Sequence, residues 1–259
     1  MKFSKWTGLG NDFIFPEPGT PFDPRAAIRW CDRRFGIGAD GVVWIRPLGG
    51  ADFEMRIVNA DGSEAAMCGN ATRCAAKFIL ARKPGSGRRF RLHTLSGVVE
   101  PEILDNGQVR VDMGPPRPFL GTVTLRAGGR DLAAVTLSMG NPHAVIFTED
   151  VAAVPLETWG PRLEHDAHFP DRCNIEFAQV LAPDRIRMRV WERGCGITAA
   201  CGTGSCATLV AAQERGLCGA AADIVLDGGT LRIEHAAGGS VFMTGPAQEI
   251  FEGEIEDEE

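Results

Sequence analysis

Two short segments, "AAMCGNATRC" (residues 65–74) and "TAACGTGSC" (residues 198–206), carry the clearest structural signal in this 259-residue chain. Each places a cysteine, Cys68 or Cys201, before a glycine and a small polar residue. After Cys68, apolar residues recur at the spacing of one helical face until Pro84-Gly85, and a second Ala- and Leu-rich run ends at Gly216. The pattern therefore predicts that both cysteines lie at helix N-termini.

The surroundings of the two cysteines also correspond. A strand-like run leads into each loop, and a polar residue, Asn59 or Glu192, stands nine positions before each cysteine. Strand, glycine-containing loop, cysteine and helix thus occur once in each half of the chain. We interpret this as an internal duplication and expect a cleft between the two halves.

Most of the remaining sequence alternates apolar and polar residues, which is typical of short strands. The turns "AGGRD" (127–131) and "AAGGS" (236–240) predict hairpins, so we expect mostly antiparallel sheets. The Pro-rich stretch "MGPPRPF" (113–119) is the best candidate for a domain boundary. The acidic end "EGEIEDEE" (252–259) is interpreted as a solvated tail after a last strand. The strand predictions cover residues 89–94, 108–114, 122–137, 185–192 and 230–245.

Composition narrows the functional class. With 44% hydrophobic residues and a net charge of −7, the chain is a globular protein without the basic surface of a nucleic-acid partner. The local cluster Arg88, Arg89 and Arg91 is interpreted as the solvated face of a strand. The N-terminus lacks the apolar core of a signal peptide, and no run reaches the about 18 apolar residues of a membrane helix. We therefore expect a cytoplasmic protein with neither a membrane nor a nucleic-acid partner.

The eight cysteines are expected to be thiols, because the chain is long and their spacing is irregular. A zinc site is the alternative, since Cys201 and Cys206 are five residues apart. A helix turns about 100° per residue, so Cys206 and Cys74 face away from Cys201 and Cys68. Small core residues are the preferred interpretation of six cysteines: Cys31, Cys74, Cys173, Cys195, Cys206 and Cys218.

The positions of Cys68 and Cys201 suggest a chemistry. A helix N-terminus lowers the pKa of a thiol and attracts a carboxylate. One thiolate and one thiol on opposite faces of a carbon atom could remove a proton from one side and return a proton to the other. A redox disulfide is the competing use, but neither motif is C-x-x-C and each cysteine belongs to a different half. Inversion of a carbon centre by two bases is therefore favoured.

Six ordered blocks then resemble one family. "KWTGLGNDF" (5–13), "GIGADG" (36–41), "NADGSEAAMCGNATRC" (59–74), "GNPHAV" (140–145), "CNIEF" (173–177) and "ERGCGITAACGTGSCA" (192–207) resemble the diaminopimelate epimerases. The resemblance implies a cofactor-independent, metal-free epimerase that interconverts LL- and meso-diaminopimelate on the route to lysine and peptidoglycan. It also implies an α+β fold of two pseudo-symmetric domains, each a mostly antiparallel sheet wrapped around a central helix. The expected domains are residues 1–114 with a C-terminal strand at about 248–259, and residues 115–247.

The resemblance assigns roles residue by residue. It makes Cys68 and Cys201 the two catalytic bases, with Cys68 facing the LL form. Residues that match those holding the carboxylate at the reacting centre are Gly69, Asn70, Gly202 and Thr203. Residues that match those holding the far end of the substrate are Asn11, Asn59, Asn174, Glu192 and Arg193. Asn141 and His143 match residues that line the site near the first cysteine, although a core histidine is an equal alternative for His143.

The sequence also departs from the family pattern. Thr7 stands where the family usually has histidine, and Ile197 stands where it usually has glutamate. Related two-cysteine enzymes invert proline, hydroxyproline or histidine, so a racemase of another amino acid is the second hypothesis. A catalytically silent amino-acid-binding protein on the same fold is the third. The sequence is compatible with a homodimer, and oxidation of Cys68 and Cys201 to a disulfide is left open.

Overall fold

The computed structural model describes residues 1–256. The four helices are α1 (Pro24–Cys31), α2 (Gly69–Arg82), α3 (Leu156–Glu164) and α4 (Gly202–Glu214). The strands up to the middle of the chain are β1 (Lys2–Gly8), β2 (Asn11–Pro16), β3 (Gly41–Gly49), β4 (Asp52–Asn59), β5 (Glu64–Ala65), β6 (Arg91–Thr94), β7 (Gly97–Val99), β8 (Glu102–Ile103) and β9 (Val109–Asp112). The later strands are β10 (Arg117–Ala127), β11 (Arg130–Ser138), β12 (Pro142–Phe147), β13 (Asn174–Ala182), β14 (Arg185–Glu192), β15 (Gly196–Ile197), β16 (Ala221–Leu226), β17 (Gly229–His235), β18 (Val241–Gly245) and β19 (Gln248–Glu254). Every helix within residues 1–256 is too short or too polar to cross a lipid bilayer.

The chain divides into two compact units. The first comprises Met1–Asp112 together with the C-terminal segment from Thr244 onward, and the second comprises Met113–Met243. In the first unit the strand order is β19-β1-β2-β3-β4-β6-β7, and β5 pairs with β4. Helix α2 contacts β1, β2, β3, β8, β9 and β19. Sheet therefore surrounds α2, which is why most of its residues are buried.

The second unit has the same plan. Its strand order includes β10-β11-β12-β13-β14-β16-β17, and β15 pairs with β14. Helix α4 contacts β11, β12, β13, β14, β16 and β17. Apolar and small residues cover nearly every face of α4, as expected of a helix enclosed by strands.

The two units repeat one topology. Parallel pairing joins β2 to β3 and β4 to β6 in the first unit, and β12 to β13 and β14 to β16 in the second. A helix connects the first parallel pair of each unit, α1 or α3, and the central helix connects the second pair, α2 or α4. The α+β fold with a central helix in each half, the internal duplication and the mostly antiparallel pairing are thus confirmed.

Both predicted hairpin turns are confirmed. Gly128 and Gly129 connect β10 to β11 with φ values of 58° and 72°, a left-handed conformation that glycine adopts without strain. The segment from Ala236 to Ser240 closes the second turn through a backbone hydrogen bond of 2.9 Å.

The predicted acidic tail is partly wrong. Residues 252–254 belong to β19, where Glu252 and Glu254 pair with Ser4 and Lys2 of β1. Backbone hydrogen bonds to β1 hold this segment although its side chains are acidic and mostly exposed. Residues 257–259 of the predicted tail lie outside the described residues.

A network of charged side chains connects β1 and β2 to the loop that follows α1. Asp12 accepts hydrogen bonds from Arg33 at 2.8 and 3.1 Å and lies 2.9 Å from the ammonium of Lys5. Burial opposes ionisation of Asp12, but the bonds from Arg33 and Lys5 outweigh it and lower its pKa to about 2. Lys5, itself buried, also donates to the carbonyl of Gly38.

This shift predicts acid sensitivity. An unfolded Asp has a pKa of about 4, so ionised Asp12 stabilises the fold above about pH 4. That stabilisation is lost as the pH falls through the folded pKa of about 2. Denaturant titrations would measure the free energy of unfolding between about pH 4 and about pH 2. As the pH is lowered across this range, this free energy should fall by about 2 kcal/mol more in the wild-type protein than in Asp12→Asn. Glu149→Gln, at an exposed carboxylate, should behave like wild type, and parallel pH curves for Asp12→Asn would contradict the prediction.

Candidate active site

Cys68 is the N-cap residue of α2, as predicted. Its backbone is extended (φ −143°, ψ 117°), and its carbonyl accepts the amide hydrogen of Thr72 at 2.9 Å. Its thiol donates to Oδ1 of Asn11 at 3.8 Å. The same oxygen accepts a hydrogen bond from Nδ2 of Asn70 at 3.3 Å. The structure thus brings three predicted site residues, Asn11, Cys68 and Asn70, together at the start of α2.

The other two site residues predicted in the first unit lie nearby in the chain. Gly69 is the first residue of α2 and is buried. Asn59 is exposed at the end of β4, where its Nδ2 donates to Oγ of Ser63 at 3.0 Å. Its amide is therefore held by the loop that follows β4.

Cys201 has the corresponding position in the second unit. It is the N-cap residue of α4, and its sulfur accepts the amide hydrogen of Gly204 at 3.4 Å. Oγ1 of Thr203 lies 3.6 Å from the sulfur, and Gly202 is buried as the first helical residue. The helix N-terminus therefore presents N–H groups and a hydroxyl to Cys201.

A buried chain of hydrogen bonds extends from Thr203. Nδ2 of Asn141 donates to Oγ1 of Thr203 at 3.3 Å, and Oδ1 of Asn141 lies 3.0 Å from Nε2 of His143. Nδ1 of His143 lies 2.6 Å from Oε1 of Glu176. His143 and Glu176 are both fully buried on the parallel strands β12 and β13. The predicted residues Asn141, His143, Thr203 and Cys201 thus form one connected network with Glu176, which the sequence analysis missed.

Carboxyl groups and burial control the proton on Cys201. Burial raises the pKa of the Cys201 thiol well above its ordinary value, and the nearby carboxyl groups of Glu192 and Glu176 raise it further. Burial also raises the pKa of Glu192, while hydrogen bonds from Thr198 and Cys201 act in the opposite direction. Burial and the nearby carboxyl groups both favour the thiol form of Cys201 over the thiolate.

Asn174 and Arg193 are connected through the backbone. Oδ1 of Asn174 accepts the amide hydrogen of Arg193 at 3.0 Å, and its Nδ2 donates to the carbonyl of Pro142 at 2.8 Å. The Arg193 side chain is exposed and donates to the carbonyl of Asp171 at 3.4 Å. Within residues 1–256, Arg193 forms no ion pair with the neighbouring Glu192, which accepts a hydrogen bond from Thr198.

The remaining cysteines mostly match their predicted packing role. Cys31, Cys74, Cys173 and Cys206 are buried, and burial raises the pKa of Cys74 to about 12. Cys218 is half-buried, and the prediction is wrong for Cys195, which is exposed in the turn between β14 and β15. Residues 193–195 of that turn are all exposed, as is usual for a surface connection. Across residues 1–256, no group of three or more His, Cys, Asp or Glu side chains is placed to hold a metal ion.

The two departures from the family pattern lie near the ends of strands. Oγ1 of Thr7 accepts the amide hydrogen of Gly10 at 3.1 Å and so closes the turn between β1 and β2, just before Asn11. Ile197 lies on β15, pairs with Trp191 and is 37% exposed. Ile197 is thus adjacent to the strand end that carries Glu192.

Gly204 is a further residue that the sequence analysis did not single out. A Cβ atom at this position would lie 2.7 Å from Oε1 of Glu176 and 3.1 Å from the sulfur of Cys201. The buried Glu176 is held by His143 and cannot move away freely. Only glycine therefore allows the carboxylate and the sulfur to approach the start of α4 so closely.

We expect Gly204→Ala to lower kcat of a reaction that uses Cys201 by about 100-fold, because misplacement of a reacting group by about 1 Å has an effect of this size. Alanine favours a helix over glycine by about 1 kcal/mol, which is too little to compensate for the clash. Steady-state kinetics and thermal unfolding would measure both effects. Gly219→Ala is the matched control, since among the described residues no atom other than those of residues 218–220 lies within 4 Å of the place that its methyl group would take. Near-normal turnover in Gly204→Ala would contradict the assigned geometry.

The chain is similar in sequence to known proteins of one family. The family model described as "Diaminopimelate epimerase" matches residues 3–118 and 135–250. The diaminopimelate epimerase of Synechococcus elongatus is 48% identical over 275 residues, which cover 99% of this chain and 98% of that protein. The diaminopimelate epimerase of Pelotomaculum thermopropionicum is 49% identical over 275 residues and covers 98% of each chain.

Solved structures agree at the level of the fold. A predicted epimerase from Pseudomonas aeruginosa superposes with a TM-score of 0.74 over 99% of each chain, at 16% sequence identity. This likeness supports the α+β architecture, whereas the sequence matches establish the relationship. The chain therefore belongs to the diaminopimelate epimerase family, a family of amino-acid isomerases.

Proposed function

We propose that this protein interconverts LL- and meso-diaminopimelate, without a cofactor or metal, for the synthesis of lysine and peptidoglycan precursors. Cys68 and Cys201 are the two acid–base groups of the proposal. One cysteine removes the α-proton as a thiolate, and the other returns a proton to the opposite face as a thiol. The stereocentre is thereby inverted without a change in the bonds to nitrogen or to the carboxylate carbon.

The positions of the two cysteines give this proposal its strongest support. Cys68 and Cys201 are the N-cap residues of α2 and α4, the corresponding central helices of a duplicated fold. An N-cap sulfur lies where the helix presents unpaired N–H groups, which also suit a substrate carboxylate. The repeated position therefore supports a pair of equivalent groups that act on one carboxylate-bearing carbon.

The proton state of Cys201 supports the need for a charged substrate. Burial and the carboxyl groups of Glu192 and Glu176 favour the neutral thiol in the free protein. An amino-acid ammonium group near these carboxyl groups would reduce that penalty and make the thiolate easier to form. The base is thus proposed to become active when the substrate is bound.

The residues around β14 support recognition of a second amino-acid head group. Glu192 suits an ammonium group, and the exposed guanidinium of Arg193 suits a carboxylate. Asn174 fixes the backbone of Arg193 through its 3.0 Å hydrogen bond. Diaminopimelate has such a second head group, whereas proline and histidine do not.

A substrate panel tests the proposal. The purified protein would be incubated separately with LL-diaminopimelate, meso-diaminopimelate, L-histidine and L-proline, and chiral chromatography would measure each stereoisomer. We expect inversion of both diaminopimelate isomers, with discrimination against the other two on the order of 10⁴-fold. Dialysis against a chelator should leave the rate unchanged. Faster inversion of histidine or proline would favour a racemase of another amino acid, and no inversion of any compound would favour a binding protein.

A further inference from the structure

The block "GIGADG" (36–41) belongs to no step of the proposed reaction, yet its Asp40 contacts a residue beside Cys68. Oδ2 of Asp40 accepts a hydrogen bond from Nδ2 of Asn11 at 2.6 Å and from the amide of Asp12 at 3.0 Å. Its other oxygen accepts a bond from Arg33 at 2.8 Å. Asp40 thus lies directly behind Asn11.

These contacts determine the orientation of the Asn11 amide. An ionised carboxylate only accepts hydrogen bonds, so the Asn11 atom 2.6 Å from Asp40 must be the NH₂ group. The amide oxygen must then face the opposite way, towards the thiol of Cys68 at 3.8 Å and Nδ2 of Asn70 at 3.3 Å. Cys68 therefore meets a hydrogen-bond acceptor, which favours the protonated thiol over the thiolate.

The second unit shows that this orientation is not imposed by the fold. Asn141 precedes β12 as Asn11 begins β2, and each asparagine contacts the side chain two residues after the N-cap cysteine. Asn141, however, presents its NH₂ group to Thr203 and its oxygen to Nε2 of His143. The two units thus differ in the residue that contacts the far side of the asparagine amide, which is Asp40 in the first unit and His143 in the second.

We propose that Asp40 is a positioning residue that holds the Asn11 amide oxygen towards Cys68 and thereby keeps Cys68 as a thiol in the ligand-free protein. This inference rests on the proposed function, because Cys68 is one of the two acid–base groups of the proposed reaction. The charged groups that surround this site on β1, β2, α2 and the two loops beside α1 and β3 are Lys5, Asp12, Arg33, Asp40 and Arg73.

Alkylation of Cys68 by iodoacetamide tests the proposal without any catalytic turnover. Mass spectrometry of the Cys68 peptide would follow this thiol separately from the other seven cysteines. The readout is the ratio of the rate at about pH 7 to the rate at about pH 10, where thiolate predominates. A general loosening of the structure would raise both rates and leave this ratio unchanged, whereas loss of the acceptor raises the ratio.

We expect Asp40→Ala to raise the ratio about five-fold, the effect of losing one ordinary hydrogen bond to the thiol. Asn11→Ala should raise it equally, and Asp40→Ala should add no further change in an Asn11→Ala background. Asp40→Asn retains an acceptor oxygen for Asn11 and should stay within about two-fold of wild type. Arg33→Ala, which leaves the contact between Asp40 and Asn11 in place, should not raise the ratio.

Three results would overturn the proposal. An equal rise in Asp40→Asn and Asp40→Ala would mean that the charge of Asp40 acts directly on Cys68, and so would a rise that persists in the Asn11→Ala background. An unchanged ratio in Asn11→Ala would overturn it even if Asp40→Ala fails to fold. Because alkylation needs no substrate, failure of the epimerase assay would leave this test intact, and the reverse also holds.

Discussion

Replacement of either Cys68 or Cys201 by serine is expected to lower kcat for both directions of diaminopimelate epimerisation by about 10³-fold or more. A serine hydroxyl is a far weaker acid and base than a thiol at neutral pH, and inversion requires both groups in each direction. The N-cap position itself favours serine, so the helices should form normally in both variants. Steady-state rates from each isomer, with thermal unfolding as the check on folding, would measure this effect.

Cys74→Ser is the matched control for this prediction. Cys74 lies on the same helix as Cys68 but is fully buried, and burial raises the pKa of its thiol to about 12. The substitution should therefore lower stability and leave kcat within a few-fold of wild type. Full activity in Cys68→Ser or Cys201→Ser would refute the two-cysteine mechanism.

Substitution of Arg193 by methionine is expected to lower kcat/KM for LL-diaminopimelate by about 10²–10³-fold, as is typical for removal of one partner from a buried ion pair. In the proposed complex, the guanidinium binds the distal carboxylate of the substrate. In the free protein this side chain is exposed and makes a single long hydrogen bond of 3.4 Å to a carbonyl. The fold should therefore tolerate the change.

Arg172→Met provides the comparison on the same segment. Arg172 is 50% exposed and lies 3.5 Å from the buried Glu164. Glu164 also accepts hydrogen bonds from Trp191 and Gly194, so replacement of Arg172 removes one positive charge without leaving this carboxylate unpartnered. The kcat/KM of Arg172→Met should stay within about three-fold of wild type, because the lost contact is long and its guanidinium is half-exposed. Equal losses in the two variants would show that net charge, and not a specific contact, explains the effect.

Local patterns are sufficient to predict the two central helices. The N-cap cysteines, the small residues that follow and the apolar spacing all lie within one segment of chain. The shorter helix α1 also has a local signal, although the sequence analysis did not single it out: Asp23 accepts the amide hydrogen of Arg25 as N-cap, and Pro24 is the first helical residue. Helix α3 is harder to predict because it contains Pro161 and is capped by Pro155.

The supporting residues of the candidate site depend on long-range contacts. Asp40 is 29 positions from Asn11, and Glu176 is 33 positions from His143. No local period reveals such pairs. A signal for Glu176 does exist, since a carboxylate between Ile175 and Phe177 in an apolar run indicates a buried partner. Sequence alone does not identify that partner as His143.

Hydrogen–deuterium exchange at the α-carbon tests the central claim, that two separate groups handle the proton. LL-diaminopimelate would be converted in deuterated water, and early samples of both isomers would be separated and weighed by mass spectrometry. With two cysteines, the group that protonates the inverted carbon carries solvent deuterium. The two-cysteine mechanism therefore predicts one deuterium in every newly formed meso molecule and none in the recovered LL isomer. Two results would contradict this mechanism. In one, deuterium enters the recovered LL isomer as fast as it enters the meso product; in the other, the meso product retains the original hydrogen.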